Sequence, residues 1–254
     1  MSSLIDVLLF SLLGGIVSLI GGILLLKNKA SAARIAKYTT PFAAGALLAA
    51  VFLDLLPEGI HEGYGDTLLV AALIGVLLFF VAESLLRWFH HHHQHGAGTD
   101  PTAGLIIAGD TIHNALDGIV IGAAFIVSPA TGIVTTIAVA AHEIPQEIGD
   151  FGLLLHKGMA RKNILLVNII SALATTLTAI ITFWLGNEGQ LPMDWLIGLS
   201  AGFLLYIALS DIIPDIHESS SGERLFDVRI AILLGGVALV GLLVELTHAF
   251  AHIH

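Results

Sequence analysis

The sequence contains no cysteine and few charged residues, and both scarcities restrict what the protein can be. Only 12% of its 254 residues are charged, about half the share in an ordinary soluble domain. Without cysteine there are no disulfides and no thiolate metal sites, so a metal would need imidazole, carboxylate, amide or water ligands. Alternation of apolar and polar residues is also missing, which argues against a membrane β-barrel. A chain that is 56% hydrophobic fits a helical membrane protein instead.

Apolar stretches of membrane-spanning length, about 20 residues, recur along the chain. The N-terminus lacks the basic segment of a signal peptide, so we interpret the first stretch as a retained helix. The pattern predicts an all-α polytopic membrane protein with eight transmembrane helices, at residues 4–26, 39–57, 67–89, 103–127, 132–155, 163–185, 195–214 and 228–250.

The basic residues predict the orientation of these helices. All ten lie at or beyond the end of an odd-numbered helix: Lys27, Lys29, Arg34, Lys37, Arg87, Lys157, Arg161, Lys162, Arg224 and Arg229. The alternate loops carry acidic residues instead, among them Glu58, Glu62 and Glu188. Because basic loops stay in the cytoplasm, the pattern places both termini outside.

A repeat relates the second helix to the seventh. Residues 44–48 and 54–58 recur in similar form at residues 201–205 and 211–215, always 157 positions later. Since the two helices run in opposite directions, the repeat is inverted, a common basis for two-sided access in transporters. It predicts one transmembrane domain with a 3+2+3 arrangement of helices. The first repeat comprises residues 1–89 and is followed by a His-rich cytoplasmic loop at 90–102. A central helix pair at 103–155 and a second, inverted repeat at 163–254 complete the domain.

The central helix pair carries ionisable residues near its middle, where each costs roughly 2.5–3.5 kcal/mol or more. The candidate metal ligands are His113, Asn114, Asp117, His142, Glu143, Gln146 and Glu147. No lysine or arginine lies in either helix to pair with the acids, so they need cations or protons. Imidazole and carboxylate suit Zn(II), and also Fe(II), Mn(II) or Cd(II).

A metallohydrolase is the alternative from another functional class. Residues 142–146, His-Glu-Ile-Pro-Gln, resemble the start of the His-Glu-x-x-His motif of zinc proteases. Gln146 stands where that motif has its second histidine, and Pro145 interrupts the helix that the motif requires. We therefore favour transport, with no enzymatic activity and no cofactor beyond the transported ion.

Two motifs on successive helices resemble those of the ZIP (Zrt/Irt-like) family of metal transporters. Residues 113–118, His-Asn-Ala-Leu-Asp-Gly, are similar to the family's His-Asn-x-x-[Asp/Glu]-Gly, and residues 142–147 are similar to the His-Glu-x-Pro-His-Glu motif of one subfamily. The resemblance implies a primary metal site framed by His113, Asp117, His142 and position 146, with Asn114 and Glu143 in an adjoining site. It also implies zinc uptake into the cytoplasm and a homodimer. Two departures are Gln146, in place of histidine, and Thr175, where family members with paired ions often carry glutamate.

Further polar residues lie outside the central cluster. The predicted contacts along the pathway or in the loop are Asp54, Asp110, Asp211, His90, His91, His92, His93 and His95. The histidine tract forms a flexible imidazole array that could receive the ion, or else a dispensable polar loop. Asp54 and Asp211 are candidate relay carboxylates, or alternatively helix-end caps.

The sequence thus predicts alternating-access transport of a divalent ion, with zinc expected first. The partners expected are that ion, the lipid bilayer and a second copy of the chain, without nucleic acid. Minimal loops fit a bacterial inner membrane. Because ligating histidines must be neutral, uptake should weaken at low pH.

Overall fold

The computed structural model describes residues 2–92, 101–218 and 228–251, and in these ranges the chain forms a bundle of long helices. They are α1 (Leu4–Lys27), α2 (Lys29–Ala49, continued through Ala50–Leu55 and Leu56–His61), α3 (Gly65–His92), α4 (Pro101–Val127), α5 (Pro129–His156), α6 (Arg161–Asn187), α7 (Met193–Tyr206, continued through Ile207–Ile212 and Ile213–Glu218) and α8 (Val228–Ala251). The all-helical class is confirmed.

The largest departure from the predicted spans is at the start of α2, which begins at Lys29 and not at residue 39. Asn28 alone separates α1 from α2, and its side-chain oxygen accepts hydrogen bonds from the backbone of Ala30 and Ser31. An asparagine cap satisfies amide groups that the first helical turn cannot pair internally. The basic segment predicted as a loop is therefore largely the first turns of α2.

Both α2 and α7 are interrupted by a π-helical segment, Ala50–Leu55 in the first and Ile207–Ile212 in the second. A proline follows each segment two residues later, at Pro57 and Pro214. Proline has no amide hydrogen and crowds the carbonyl four residues earlier, so the regular hydrogen-bond ladder cannot continue there. The two π-helical segments are 157 residues apart, the same spacing as the sequence repeat.

The helices pack as two groups of four. In one, α1 contacts α5 and α6, and α4 contacts the same two helices; in the other, α3 packs on α7 and α2 on α8. Glycine permits the closest of these approaches: a Cβ at Gly45 would lie 2.0 Å from the carbonyl oxygen of Leu233 on α8. A Cβ at Gly202 would lie 2.1 Å from the carbonyl oxygen of Ala72 on α3. Across the groups, α2 contacts α5 and α7 contacts α4.

Within the described residues, seven helices are long and apolar enough to cross a membrane. Only 17% of the apolar window of α8 and 22% of that of α3 is buried inside the bundle, against 72% for α2, so α3 and α8 present the most apolar surface outward. The helix α5, which corresponds to the fifth predicted span, is 28 residues long but is not among the seven. Its apolar sequence is interrupted by polar side chains at His142, Glu143, Gln146, Glu147 and Asp150.

Candidate metal centre

The midpoints of α4 and α5 bring four ligand-type side chains together. On α4, His113 and Asp117 are one turn apart and point to the same side, as expected for residues at i and i+4. On α5, His142 and Glu143 face them. One ligand atom from each of the four residues lies within 4.8 Å of all the others. We call this set the four-residue cluster.

The two imidazoles point their Nε2 atoms at a common volume. These atoms are 3.3 Å apart, and His142 Nε2 lies 3.4 Å from Asp117 Oδ2. His113 Nε2 lies 3.4 Å from Glu143 Oε1 and 3.7 Å from Asp117 Oδ2. On the far side of its ring, His142 Nδ1 is 3.4 Å from the carbonyl oxygen of Ala138. A hydrogen on Nδ1 leaves the lone pair on Nε2, the arrangement that a metal-binding histidine needs.

The carboxylate oxygens of the four-residue cluster are buried without hydrogen bonds among the described residues. Asp117 is fully buried and Glu143 is 4% exposed, yet none of their four oxygens makes a hydrogen bond within the described part of the chain. Buried polar atoms are normally hydrogen-bonded, and an isolated buried charge is costly. Two imidazole nitrogens and one oxygen from each carboxylate around one small volume form a suitable donor set for a divalent cation.

Asn114 belongs to a different polar group, between α4 and α6. Its amide nitrogen donates to Asp110 Oδ1 at 2.9 Å and to Ser171 Oγ at 3.2 Å, and its amide oxygen accepts from Thr175 Oγ1 at 3.0 Å. We call Asp110, Asn114, Ser171 and Thr175 the α4–α6 network. The structure therefore does not place Asn114 with the four-residue cluster.

Two further predicted site residues, Gln146 and Glu147, follow the cluster along α5. Gln146 is half-buried one turn after His142. Glu147 is fully buried, and both of its carboxylate oxygens lack a hydrogen bond within the described residues.

The predicted contacts outside the central helices are only partly described. Asp54 lies in the π-helical segment of α2, where it is fully buried and accepts a hydrogen bond from Thr131 Oγ1 on α5. The backbone of Asp211 lies in the π-helical segment of α7. His90, His91 and His92 form the end of α3, so the tract begins as helix where a loop was predicted, while His93 and His95 lie outside the described residues.

Two contacts of the site were not foreseen from the sequence. Ser171 joins the α4–α6 network, and its spacing of four residues from Thr175 is the signal that could have indicated a polar face on α6. Phe203 of α7 packs its ring against His113, with ring centroids 5.6 Å apart and an interplanar angle of 64°. It follows Gly202 in the repeated motif, but a buried phenylalanine in an apolar helix gives no signal of its own.

The chain is similar to known metal transporters. The family model described as "ZIP Zinc transporter" matches residues 90–244. The chain is 36% identical to human "Zinc transporter ZIP6" over 128 residues, which cover 50% of this chain and 17% of that protein. It is 43% identical to mouse "Zinc transporter ZIP4" over 112 residues, 43% of this chain and 16% of the relative. It is 37% identical to Caenorhabditis elegans "Zinc transporter zipt-7.2" over 138 residues, 53% of this chain and 30% of the relative. The chain thus matches less than a third of the length of each of these relatives.

Proposed function

The chain belongs to the ZIP zinc transporter family, and from that premise we propose that it moves divalent transition-metal ions, zinc foremost, across a membrane. The observation that carries the proposal is the four-residue cluster: convergent imidazole nitrogens beside buried carboxylates without hydrogen-bond partners. The ion is the substrate, and it would be bound by His113, Asp117, His142 and Glu143. Each of these donors suits zinc when the imidazole is neutral and the carboxylate ionised.

Other polar residues of α5 would act next to this cluster. Gln146, one turn beyond His142, offers an amide oxygen as a further and weaker ligand. Glu147 offers a buried carboxylate on the following residue. Asn114 is already engaged by Thr175 and Ser171, so in the state described here it would support α4 without binding the ion.

The inverted repeat remains part of the proposal, with α1–α3 related to α6–α8 and eight membrane crossings. Two observations support it. Gly45 and Gly202, which are equivalent in the repeat, each permit a backbone approach to an outer helix, α8 or α3. The π-helical segments also recur at the repeat spacing. A pair of related halves around a central site allows the site to open first to one side and then to the other.

Direction and setting complete the proposal. The positive-inside pattern supports termini outside the cytoplasm, and the acidic outer loops would attract cations for uptake. Iron, manganese and cadmium are alternative ions for the same ligands. The protein would act as a carrier without catalysing a reaction, and as a homodimer. The short connections support a bacterial inner membrane, which expression and fractionation in the source cell would test.

Ion flux into proteoliposomes tests the proposal. The purified protein is reconstituted around a zinc-sensitive dye, and zinc is added outside, alone and with iron, manganese or cadmium as competitors. We expect saturable zinc entry that His142→Ala abolishes. His156→Ala is the matched control, because His156 is exposed at the end of the same helix, and it should transport normally. Zinc entry equal to that of empty liposomes, from protein shown to be folded, would overturn the proposal.

A further inference from the structure

Oxygen-bearing side chains lie between the four-residue cluster and the end of the bundle where α4 meets α5. The positive-inside pattern assigns that end to the outside. Ser128 begins the series at the N-terminus of α5 and is half-buried. Thr131 and Thr135 follow on α5, and Asp54, in the π-helical segment of α2, contacts Thr131; all three are fully buried.

Hydrogen bonds connect the outer members of this series. Ser128 Oγ lies 2.9 Å from Thr131 Oγ1. Thr131 Oγ1 in turn lies 3.3 Å from Asp54 Oδ1, to which it donates. A π-helical segment often marks a functional position within a helix, and here it carries the carboxylate of Asp54.

Thr135 differs from its neighbour Thr136. The Thr136 hydroxyl donates to the carbonyl oxygen of Gly132 at 2.7 Å, the usual solution for a threonine inside a helix. The Thr135 hydroxyl is fully buried and makes no hydrogen bond within the described residues. An unpartnered buried hydroxyl is destabilising, so beside an identical, satisfied threonine the Thr135 hydroxyl is available to a ligand.

Helix geometry places Thr135 on the same face of α5 as His142, on its outer side. At 100° per residue, Thr131, Thr135 and His142 fall within about 40° of one another around α5. Thr135 precedes His142 by seven residues, an axial distance of about 10 Å. The residue between them on this face is Ala138, which is fully buried and has the smallest side chain that still has a Cβ.

We propose that the Thr135 hydroxyl is a transient oxygen ligand for the incoming, partly hydrated divalent cation, between Asp54 and the four-residue cluster. The inference rests on the proposed transport function. At this point the hydroxyl oxygen replaces one water of the hydration shell, which spreads the cost of dehydration over successive steps. Removing the hydroxyl slows the passage of the ion while leaving its final binding site intact.

The test compares isosteric substitutions at adjacent threonines. Thr135→Val and Thr136→Val both exchange a hydroxyl for a methyl group of similar size. Initial zinc uptake is measured in proteoliposomes, and zinc affinity and melting temperature are measured on the same proteins in detergent. We expect Thr135→Val to slow uptake about tenfold, since one hydrogen-bond-sized interaction is lost from the passage. Its zinc affinity should be unchanged and its melting temperature equal to or above that of the unmodified protein. Thr136→Val should transport normally.

The remaining variants keep the inference open to contradiction. Thr135→Ser restores the hydroxyl and should restore most of the uptake, whereas Thr135→Ala should be slow like the valine variant. Uptake by Thr135→Val and Thr135→Ala at the rate of Thr136→Val would overturn the inference while leaving the transport function intact. An equal loss in both valine variants would also overturn it, since the effect would then be general. Absence of uptake in the unmodified protein would instead remove the proposed function on which the inference rests.

Discussion

Two polar groups meet α4 at its midpoint, and they differ in whether their hydrogen bonds are satisfied. Towards α5, the buried oxygens of Asp117 and Glu143 have no hydrogen-bond partner among the described residues. Towards α6, the equally buried Asn114 makes hydrogen bonds through both ends of its amide, to Ser171 and to Thr175. Both groups include residues at the midpoint of α4 that are equally buried, so burial alone does not distinguish them.

The difference indicates which polar residues act on an ion and which hold helices together. A satisfied network stabilises helix contacts, because its groups gain little from anything that enters. A cluster of unsatisfied acceptors beside imidazole lone pairs gains greatly when a cation arrives. On this basis we propose that the four-residue cluster binds the substrate, while the α4–α6 network positions α4.

Asp117→Asn should have the largest effect. The substitution keeps the size of the side chain but removes the charge that the cation needs. Even groups that only support metal ligands contribute roughly 10- to 100-fold in affinity, so losing a ligand should weaken zinc binding by at least about 100-fold. Isothermal titration of the purified protein measures this loss. Asp194→Asn, in the first turn of α7 and far along the chain from the cluster, is the control and should bind normally. Wild-type affinity in Asp117→Asn would remove this residue from the site.

Acidification should have the next largest effect. Zinc can bind His113 and His142 only when their Nε2 lone pairs are free, so protons compete with the ion at both rings. From about pH 7.5 to about pH 5 we expect zinc affinity to fall by more than tenfold and protons to be released on binding. Titration in buffers of different ionisation enthalpy measures both quantities. Affinity that is constant over this range would show that the imidazoles are not ligands.

Thr175→Val should lower the stability of the protein slightly and leave its zinc affinity nearly unchanged. The substitution removes the hydrogen bond to Asn114, and such bonds between membrane helices contribute about 0.6 kcal/mol on average. We therefore expect a small decrease in the free energy of unfolding, with zinc affinity within about threefold of the unmodified value, a shift of less than 1 kcal/mol. Thermal melting and zinc titration on one preparation measure the two effects. If affinity fell as far as in Asp117→Asn, the α4–α6 network would be part of the metal site.

Phe203→Ala should have a small effect on binding. The ring of Phe203 contacts the ring of His113, so its removal lets the imidazole turn away from the cluster. We expect a few-fold loss of affinity, about 1 kcal/mol, and a changed visible absorption spectrum when Co(II) replaces zinc. Phe183→Ala is the control for lost volume, because Phe183 is also 5% exposed and lies on α6. A cobalt spectrum identical in both variants would show that Phe203 does not position His113.

Much of the fold could be predicted because lipid-facing helices need long apolar stretches, and the predicted span 103–127 falls within Pro101–Val127. The early start of α2 was missed, since its first turns are polar and a single residue, Asn28, separates it from α1. The π-helical segments were also missed. Proline marks their position, but the sequence does not say whether the ladder breaks, kinks or widens there.

The candidate site was predictable where a residue type, such as histidine or a carboxylate, needs a partner inside a membrane helix. Histidine and carboxylate in a membrane helix need a partner, so the convergence of His113, Asp117 and His142 was expected and is present. Glu143, which was expected in an adjoining site, lies with them. Their role as ligands stays a prediction. The position of Asn114 was not predictable, because an amide satisfies itself with whichever neighbour the packing supplies, here Ser171 and Thr175 on α6.

Zinc X-ray absorption on the loaded protein tests the central claim most directly, because it reports the atoms bound to the ion. We predict a first shell of nitrogen and oxygen at about 2.0–2.1 Å, with outer-shell scattering from two imidazole rings. His142→Ala should reduce that scattering to one ring, and His156→Ala should leave it unchanged. Scattering without imidazole in the unmodified protein, or an identical spectrum in His142→Ala, would contradict the assignment of the four-residue cluster as the ion-binding site.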